Sequence, residues 1–229
     1  VGLDIRVIEV PFEVFSRLAA GARGVTSRAA EDGPIAADKD VPVKLVTDTN
    51  PSYGTAKIVL APGVDSAEDL KGESVAVLEG GLTQIFMGIW LEQNGVSIKD
   101  VQFTNLIMDD AVGALVGGNV KAAEFWEPFG SQALDALPGA TVAASSMEGD
   151  WIETALLGDG MYMSDAFLAK PELAAKTMEA YFKAVAYWKE NPEEGNKIIA
   201  KGLNFPVADV EKVIGEDGDI LKGGIWVFD

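Results

Sequence analysis

The sequence predicts an α/β protein built as two lobes, and three observations carry that prediction. Strand-like and helix-like segments alternate through the first two thirds of the chain, the segments recur as an internal repeat, and the last third is mostly helical and needs a lobe to pack on.

"DIRVIEV" (4–10) alternates apolar and polar residues as a strand does, "VKLVTD" (43–48) and "AKIVLAP" (56–62) are β-rich, and "SVAVLEGG" (74–81) ends in a glycine pair. "LTQIFMGIWLEQNG" then carries Ile85, Phe86, Ile89 and Trp90 at helical spacing and stops at Gly95, a glycine C-cap. Next come "VQFTNL" as strand, "DDAVGALVGG" as helix, "VKAAEFW" as strand, "EPFGSQALDAL" as helix and "ATVAASS" as strand, an order that predicts a largely parallel sheet. Pro171 suits the first position of a long helix whose Met178, Tyr181, Phe182, Val185 and Trp188 form a stripe for core packing, and Asn191-Pro192 ends it. "PVADVEKVIGED" predicts a further helix, and the chain closes on the apolar "GGIWVFD".

The repeat sets the architecture. Asp4 opens a strand, a helix leads to "LAAG" at 18–21, a short strand carries Val25-Thr26-Ser27, and "VPVKLVTD" follows; Asp100 opens "DVQFTNL", a helix leads to "LVGG" at 115–118, a strand ends in Glu124-Phe125-Trp126, and "ATVAASS" follows. Gly21 to Val43 is 22 positions and Gly118 to Thr141 is 23, so the unit recurs with one residue of slippage. This places lobe 1 at residues 1–62 plus 151–229 and lobe 2 at 63–150, with a cleft between them. Ligands of open α/β sheets sit beyond the carboxyl ends of the strands. Thr26 and Ser27 of one lobe and Glu124 to Glu127 of the other are expected at equivalent strand ends.

The 229 residues are 48% hydrophobic, enough for a sizeable core, and no apolar run is long enough to span a membrane. No leader-like segment opens the chain, and the start at Val1 reads as a trimmed end. The net charge is −18, with all four arginines in the first 28 residues, which argues against a nucleic-acid partner. With no cysteine and no histidine, thiol nucleophiles, disulfides, imidazole bases and the usual zinc sites are excluded, and no cofactor or metal is expected.

Together "DLKGESVAVLEGG" (69–81), "LEQNGVSIKDVQFTNL" (91–106), "DDAVGALVGGNVKAAEFWEPF" (109–129) and "PELAAKTMEAYFKAVAYWKENPEEGNKIIA" (171–200) resemble the periplasmic substrate-binding proteins of ABC transporters for nitrate, sulfonates, taurine, bicarbonate and thiamin-precursor-like solutes. The resemblance implies a type II periplasmic-binding-protein fold, an extracytoplasmic monomer that closes on a small solute, and a membrane permease as partner. The family's first strand would precede Val1. Where the family carries Asp after each "aG" turn, this chain has Arg23-Gly24 and Lys121-Ala122.

The candidate ligand contacts each carry two readings. Gly80-Gly81-Leu82-Thr83-Gln84 is a strand-to-helix turn with backbone N–H groups for an oxygen ligand, or a plain turn with Thr83 as N-cap. One of Asp109 and Asp110 is expected to cap its helix, leaving the other carboxylate, Asp110, for the ligand. Glu124 and Trp126 offer a carboxylate beside an indole face, a receptor for a cationic group, while Glu127 either joins them or starts the next helix with Pro128. Tyr53, after the strand at 43–48, and Trp151, on the crossing between lobes, are packing residues or parts of the pocket wall.

Two function classes follow. One is a non-catalytic solute-binding protein. The other is an enzyme on the same fold, for which the resemblance offers pyrimidine-forming relatives that depend on the histidine this chain lacks. The acidic second lobe, without arginine, points to a nitrogen-rich solute of the urea, amidine or guanidine kind, with a sulfonate, nitrate or bicarbonate anion as the alternative.

Overall fold

The computed structural model describes residues 14–21, 24–52, 54–148 and 158–214. In chain order the elements are α1 (Val14–Ala19), β1 (Val25–Ala29), α2 (Asp32–Asp38), β2 (Val43–Pro51), β3 (Ala56–Leu60), β4 (Ser74–Val77), α3 (Leu82–Gln93), β5 (Gln102–Asn105), α4 (Met108–Val116), β6 (Ala122–Trp126), α5 (Phe129–Ala136), β7 (Thr141–Ser145), β8 (Gly158–Ser164), α6 (Asp165–Leu168), α7 (Pro171–Glu190), α8 (Pro192–Leu203) and α9 (Val207–Ile214). The predicted strand at 4–10 and the apolar tail at 223–229 lie outside the described residues.

The chain divides into two units. One takes in the described residues up to Pro51 together with Gly158–Val207, and the other begins at Ser52 and takes in the described residues to Glu148 together with those from Ala208. The first crossing therefore falls at Pro51/Ser52, ahead of the expected boundary at residue 62, because β3 is hydrogen-bonded to β6 and β7 and not to β2.

The second unit carries a five-stranded sheet in the order β5-β4-β6-β3-β7. Strand β4 runs parallel to β5 and β6, while β3 runs antiparallel to both β6 and β7. Four of the five strands, β5, β4, β6 and β7, therefore run the same way, as the expected largely parallel sheet requires, and β3 runs against them. β3 arrives from the other unit and enters between two strands of the repeat, so its direction is set by that crossing and not by a helical return. Ile58, Val59, Val75, Val77, Phe86, Met87, Leu91 and Phe125 are 0% exposed and form the core between this sheet and its helices. Burying each large apolar side chain stabilises by about 1.5–3 kcal/mol. Thr83 holds the end of β4 to the start of α3, its hydroxyl accepting from Leu78 N–H at 2.7 Å and donating to Leu78 O at 3.0 Å.

In the first unit a three-stranded sheet runs β1-β8-β2, with β8 antiparallel to both neighbours. The sequence reading contains no strand at β8, whose Gly158 and Gly160 weaken a β pattern. Gly160 is needed all the same. A Cβ there would stand 3.2 Å from the backbone oxygen of Thr47, where β2 bulges toward it between Leu45 and Thr47, and the exposed Leu45 side chain, 2.2 Å away at Cδ1, would have to turn aside.

The repeat is visible in three dimensions. β1 begins at 25 and β6 at 122 (122 − 25 = 97), α2 begins at 32 and α5 at 129 (129 − 32 = 97), and β2 begins at 43 and β7 at 141 (141 − 43 = 98). The offset changes by the one residue expected. In each unit the strand arriving from the other unit is central, β8 between β1 and β2, β3 between β6 and β7.

Helix α7 starts with Pro171 at its first turn and stops at Asn191, as expected, but only Val185 of its stripe is buried; Phe182 is 37% exposed. The expectation that the stripe is core is therefore corrected for Phe182. α8 follows directly and ends at Asn204, which adopts the left-handed region at φ 56°.

Candidate functional site

In the second unit β4 and β6 are parallel neighbours, so the turn after β4 and the turn after β6 open at one edge of the sheet. The turn after β4 is Leu78–Gly81. Gly80 holds φ +77°, and Gly81 is the N-cap of α3 in extended conformation with no side-chain cap. Thr83 is not the cap expected from sequence: it is 2% exposed and its hydroxyl is committed to Leu78. Glu79 N–H is taken by Asn105 Oδ1 at 3.1 Å and Gly80 N–H by Gln84 Oε1 at 2.9 Å. The first hydrogen bond of the helix is Ile85 N–H to Gly81 O at 3.3 Å, so the N–H groups of Leu82, Thr83 and Gln84 point out of the helix end. Those donors, with the positive end of a twelve-residue helix dipole, suit an oxyanion.

At the end of β6, Trp126 is 38% exposed and meets Phe129 edge to face, ring centroids 6.3 Å apart. It stands at the strand end, as the repeat requires. Glu124 does not: it lies two residues inside β6, opposite Ile58, and is 1% exposed. Glu127 is committed to the fold. Its carboxylate pairs with Lys57 Nζ and accepts from Ser131 N–H at 3.1 Å and Ser131 Oγ at 3.0 Å, closing the first turn of α5. Pro128 is the N-cap of that helix.

Asp109 and Asp110 both lie in the first turn of α4, and both are exposed. The expected capping role is corrected for each, because Ile107 occupies the N-cap position; the two carboxylates act on the helix dipole from inside the turn.

In the first unit, Thr26 and Ser27 are placed in the body of β1, opposite Tyr162 and Met161 of β8. Their expected strand-end position is corrected, because β1 continues to Ala29. With the offset of 97, the residues equivalent to Trp126 and Glu127 are Ala29 and Ala30. Tyr53 and Trp151 lie outside the described residues.

The turn after β1 holds a cluster that sequence reasoning missed. Arg28 Nε donates to Asp32 Oδ2 at 2.6 Å, and Asn50 Nδ2 donates to Asp159 Oδ2 at 2.9 Å. Glu31 lies between Arg28 and Asp32 in sequence, and its Oε2 is buried with no hydrogen-bond partner among the described residues. Burial, with the carboxylates of Asp32 and Asp159 adding to it, pushes the Glu31 carboxyl up to about 7, against the downward pull of a backbone N–H hydrogen bond and of the Arg28 guanidinium. Burial also raises Asp159. Tyr162 donates to Ala29 O at 3.1 Å and Ala30 O at 2.9 Å, and burial pushes its phenol up to about 12. The only sequence signal was the acid pair before Gly33-Pro34. No group of carboxylates among the described residues is arranged to hold a metal ion.

A family model described as NMT1/THI5 like matches residues 1–195. The chain belongs to the NMT1/THI5-like family. A binding protein of Brucella abortus (strain 2308) is 26% identical to this family member over 162 residues, 68% of this chain and 48% of that protein. The chain thus spans about half the length of the Brucella relatives it matches. An Escherichia coli (strain K12) protein named for binding aliphatic sulfonates is 37% identical over 71 residues, 31% of this chain and 22% of that protein.

Among solved structures, the E. coli periplasmic aliphatic sulphonate binding protein SsuA superposes with a TM-score of 0.75 at 21% identity, covering 94% of this chain and 68% of that one. SsuA of Xanthomonas axonopodis pv. citri, bound to MOPS, superposes with a TM-score of 0.73 at 20% identity, covering 94% and 72%. These likenesses establish an α/β fold of the periplasmic-binding-protein type. The desulfurization enzyme DSZB has the same fold, with a TM-score of 0.62 at 14% identity over 86% of this chain and 72% of that one. No helix among the described residues is long and apolar enough to cross a membrane.

Proposed function

We propose that this NMT1/THI5-like chain is the solute-binding part of an extracytoplasmic ABC importer component, and that its solute is a sulfonate-like oxyanion passed to a membrane permease. The observation that carries the reading is the uncapped N-terminus of α3, where Leu82, Thr83 and Gln84 present their N–H groups at the sheet edge shared with β6. An oxyanion held there needs no arginine, which answers the shortage of cations in this unit. Trp126, exposed at the same edge, supplies an apolar wall for the organic part of such a solute. The sulfonate-binding proteins among its relatives and structural neighbours support the same solute class. The nitrogen-rich solute expected from the acidic composition has no such support: Glu124 is inside the unit and Glu127 is occupied by Lys57.

Binding is read as a rise in melting temperature with alkanesulfonates, nitrate, bicarbonate, urea and guanidinium supplied in turn. An alkanesulfonate is expected to stabilise the protein, and urea and guanidinium at matched low concentration are not. The decisive variant is Gly81→Asp. Gly81 is extended (φ −130°, ψ −173°) and an added Cβ meets nothing nearer than Leu78 O at 3.7 Å, so the new carboxylate caps α3 and competes for its N–H groups. Its fold should be as stable as the parent, with the anion-dependent rise gone. An undiminished rise in Gly81→Asp would remove α3 from the site. Trp126→Ala should weaken sulfonate binding about tenfold with little loss of stability, since the ring is already well exposed.

A further inference from the structure

The Glu31 cluster belongs to the first unit and has no part in the oxyanion site proposed at α3. It sits in the turn that leads from β1 into α2, held against Gly158 and Tyr162 of β8. Three carboxylates face one another there, Glu31 and Asp32 from the turn and Asp159 from β8, with Arg28 of β1 as the guanidinium among them. Arg28 Nε is committed to Asp32 at 2.6 Å, and Asp159 has the neutral Asn50 amide of β2 at 2.9 Å. The Tyr162 phenol, also from β8, is spent on the carbonyls of Ala29 and Ala30. Glu31 Oε2 is shielded from water without a hydrogen-bond partner among the described residues. A carboxylate shielded in this way beside two others is unfavourable, whereas a carboxylic acid is tolerated.

We propose that Glu31 is a proton-sensitive latch: as a neutral acid it stays packed in the β1–α2 turn, and on losing its proton it drives that turn to open away from Asp32 and Asp159. The upward shift of Glu31 to about 7 agrees with the geometry. Ala30 is held to β8 by its N–H to Gly158 O at 2.8 Å and by the Tyr162 contact, whereas the backbone bonds after it, Gly33 N–H to Ala30 O at 3.2 Å and Ile35 N–H to Glu31 O at 3.4 Å, are long, so the part of the turn that carries Glu31 is the weakly fastened part. The turn lies at the carboxyl end of β1, at the position that the repeat makes equivalent to Trp126–Phe129. The latch thus sets the shape of that strand end by pH, whatever solute the protein carries.

The test needs no solute. In the whole chain labelled with carbon-13, the Glu31 side-chain carboxyl is followed by NMR from pH 4 to 9, and the exchange of the Gly33 and Ile35 amides is measured across the same range. With the acid raised in the closed turn and ordinary in the open one, the opening equilibrium should grow as pH rises from 4.5 and level off above 7. Allowing for solvent screening of a partly exposed group, the growth is about tenfold after correction for intrinsic exchange rates. In Glu31→Gln the same amides should show no such rise. A Glu31 midpoint below about 5.5, or a rise in the Glu31→Gln protein equal to that of the parent, overturns the proposal. Should Glu31→Gln fail to fold, the carboxyl titration of the parent still decides it.

Discussion

Ser146 is the residue whose removal tests the construction of the second unit most directly. It is 0% exposed, and its Oγ accepts from Gly54 N–H at 2.8 Å and from Ala56 N–H at 3.2 Å, with Ser52 Oγ 3.2 Å away. One hydroxyl thus fastens the chain arriving from the first unit to the end of β7. Ser146→Ala leaves two backbone donors where water does not reach, at about 1–3 kcal/mol each. Because the donors share one acceptor and the longer bond is the weaker, about 3 kcal/mol in total is expected. With a urea slope of about 2 kcal/mol/M, the midpoint for the β3, β6 and β7 amides should fall by about 1.5 M, followed residue by residue in NMR spectra. The amides of β1 and β8 serve as the internal reference. Ser52→Ala, at a half-buried position whose partner keeps its other bonds, should cost less than about 1 kcal/mol. A midpoint shift below about 0.3 M for Ser146→Ala, or equal losses for the two serines, would refute the argument.

Three further outcomes follow from the same reasoning. Glu127→Ala takes the carboxylate from Lys57, whose side chain is only 22% exposed and keeps the Gly54 carbonyl as acceptor, and removes the acceptor for Ser131 N–H; about 2 kcal/mol should be lost, and the double variant Lys57→Met with Glu127→Leu should recover most of it in the same urea titration. Asn204→Gly relieves a side chain held at φ 56° and should raise the stability of the first unit by about 0.5 kcal/mol, read from its thermal midpoint. The Glu31 carboxyl is raised from 4.5 to about 7 in the folded chain, so the folded state binds the extra proton. Its contribution is fully present below pH 4.5 and is lost as pH rises to about 7. Glu31→Gln should match the parent at pH 4.5 and exceed it by about 1–2 kcal/mol at pH 8 after allowance for solvent screening, and a constant difference across that range would contradict the assignment.

The α/β class, most strands and helices, and the repeat with its one-residue slip were legible in the sequence because they rest on local signals: hydrophobic period, Gly80-Gly81 before a helix, Gly95 after one, and Pro171 at a start. The family resemblance was legible for the same reason, since it lies in motifs of contiguous residues. What tertiary structure decided was pairing. β8 is central to the first sheet although its two glycines weaken any strand pattern in the sequence, and Gly160 is explained by the bulge of β2 against it. β3 runs against its neighbours because it enters from the other unit, a long-range fact that no local period encodes.

The candidate site divides along the same line. The turn at Gly80–Gln84 could be found from the chain alone, and Trp126 stands where the repeat put it. The duties of the carboxylates could not be found in that way. Glu124 faces inward, Glu127 is held by a lysine 70 positions earlier, and Glu31 is set beside Asp159, far along the chain. A carboxylate looks the same in a sequence whether it binds, caps or titrates. Burial and the partner that folding brings to it decide which, and those belong to the tertiary structure.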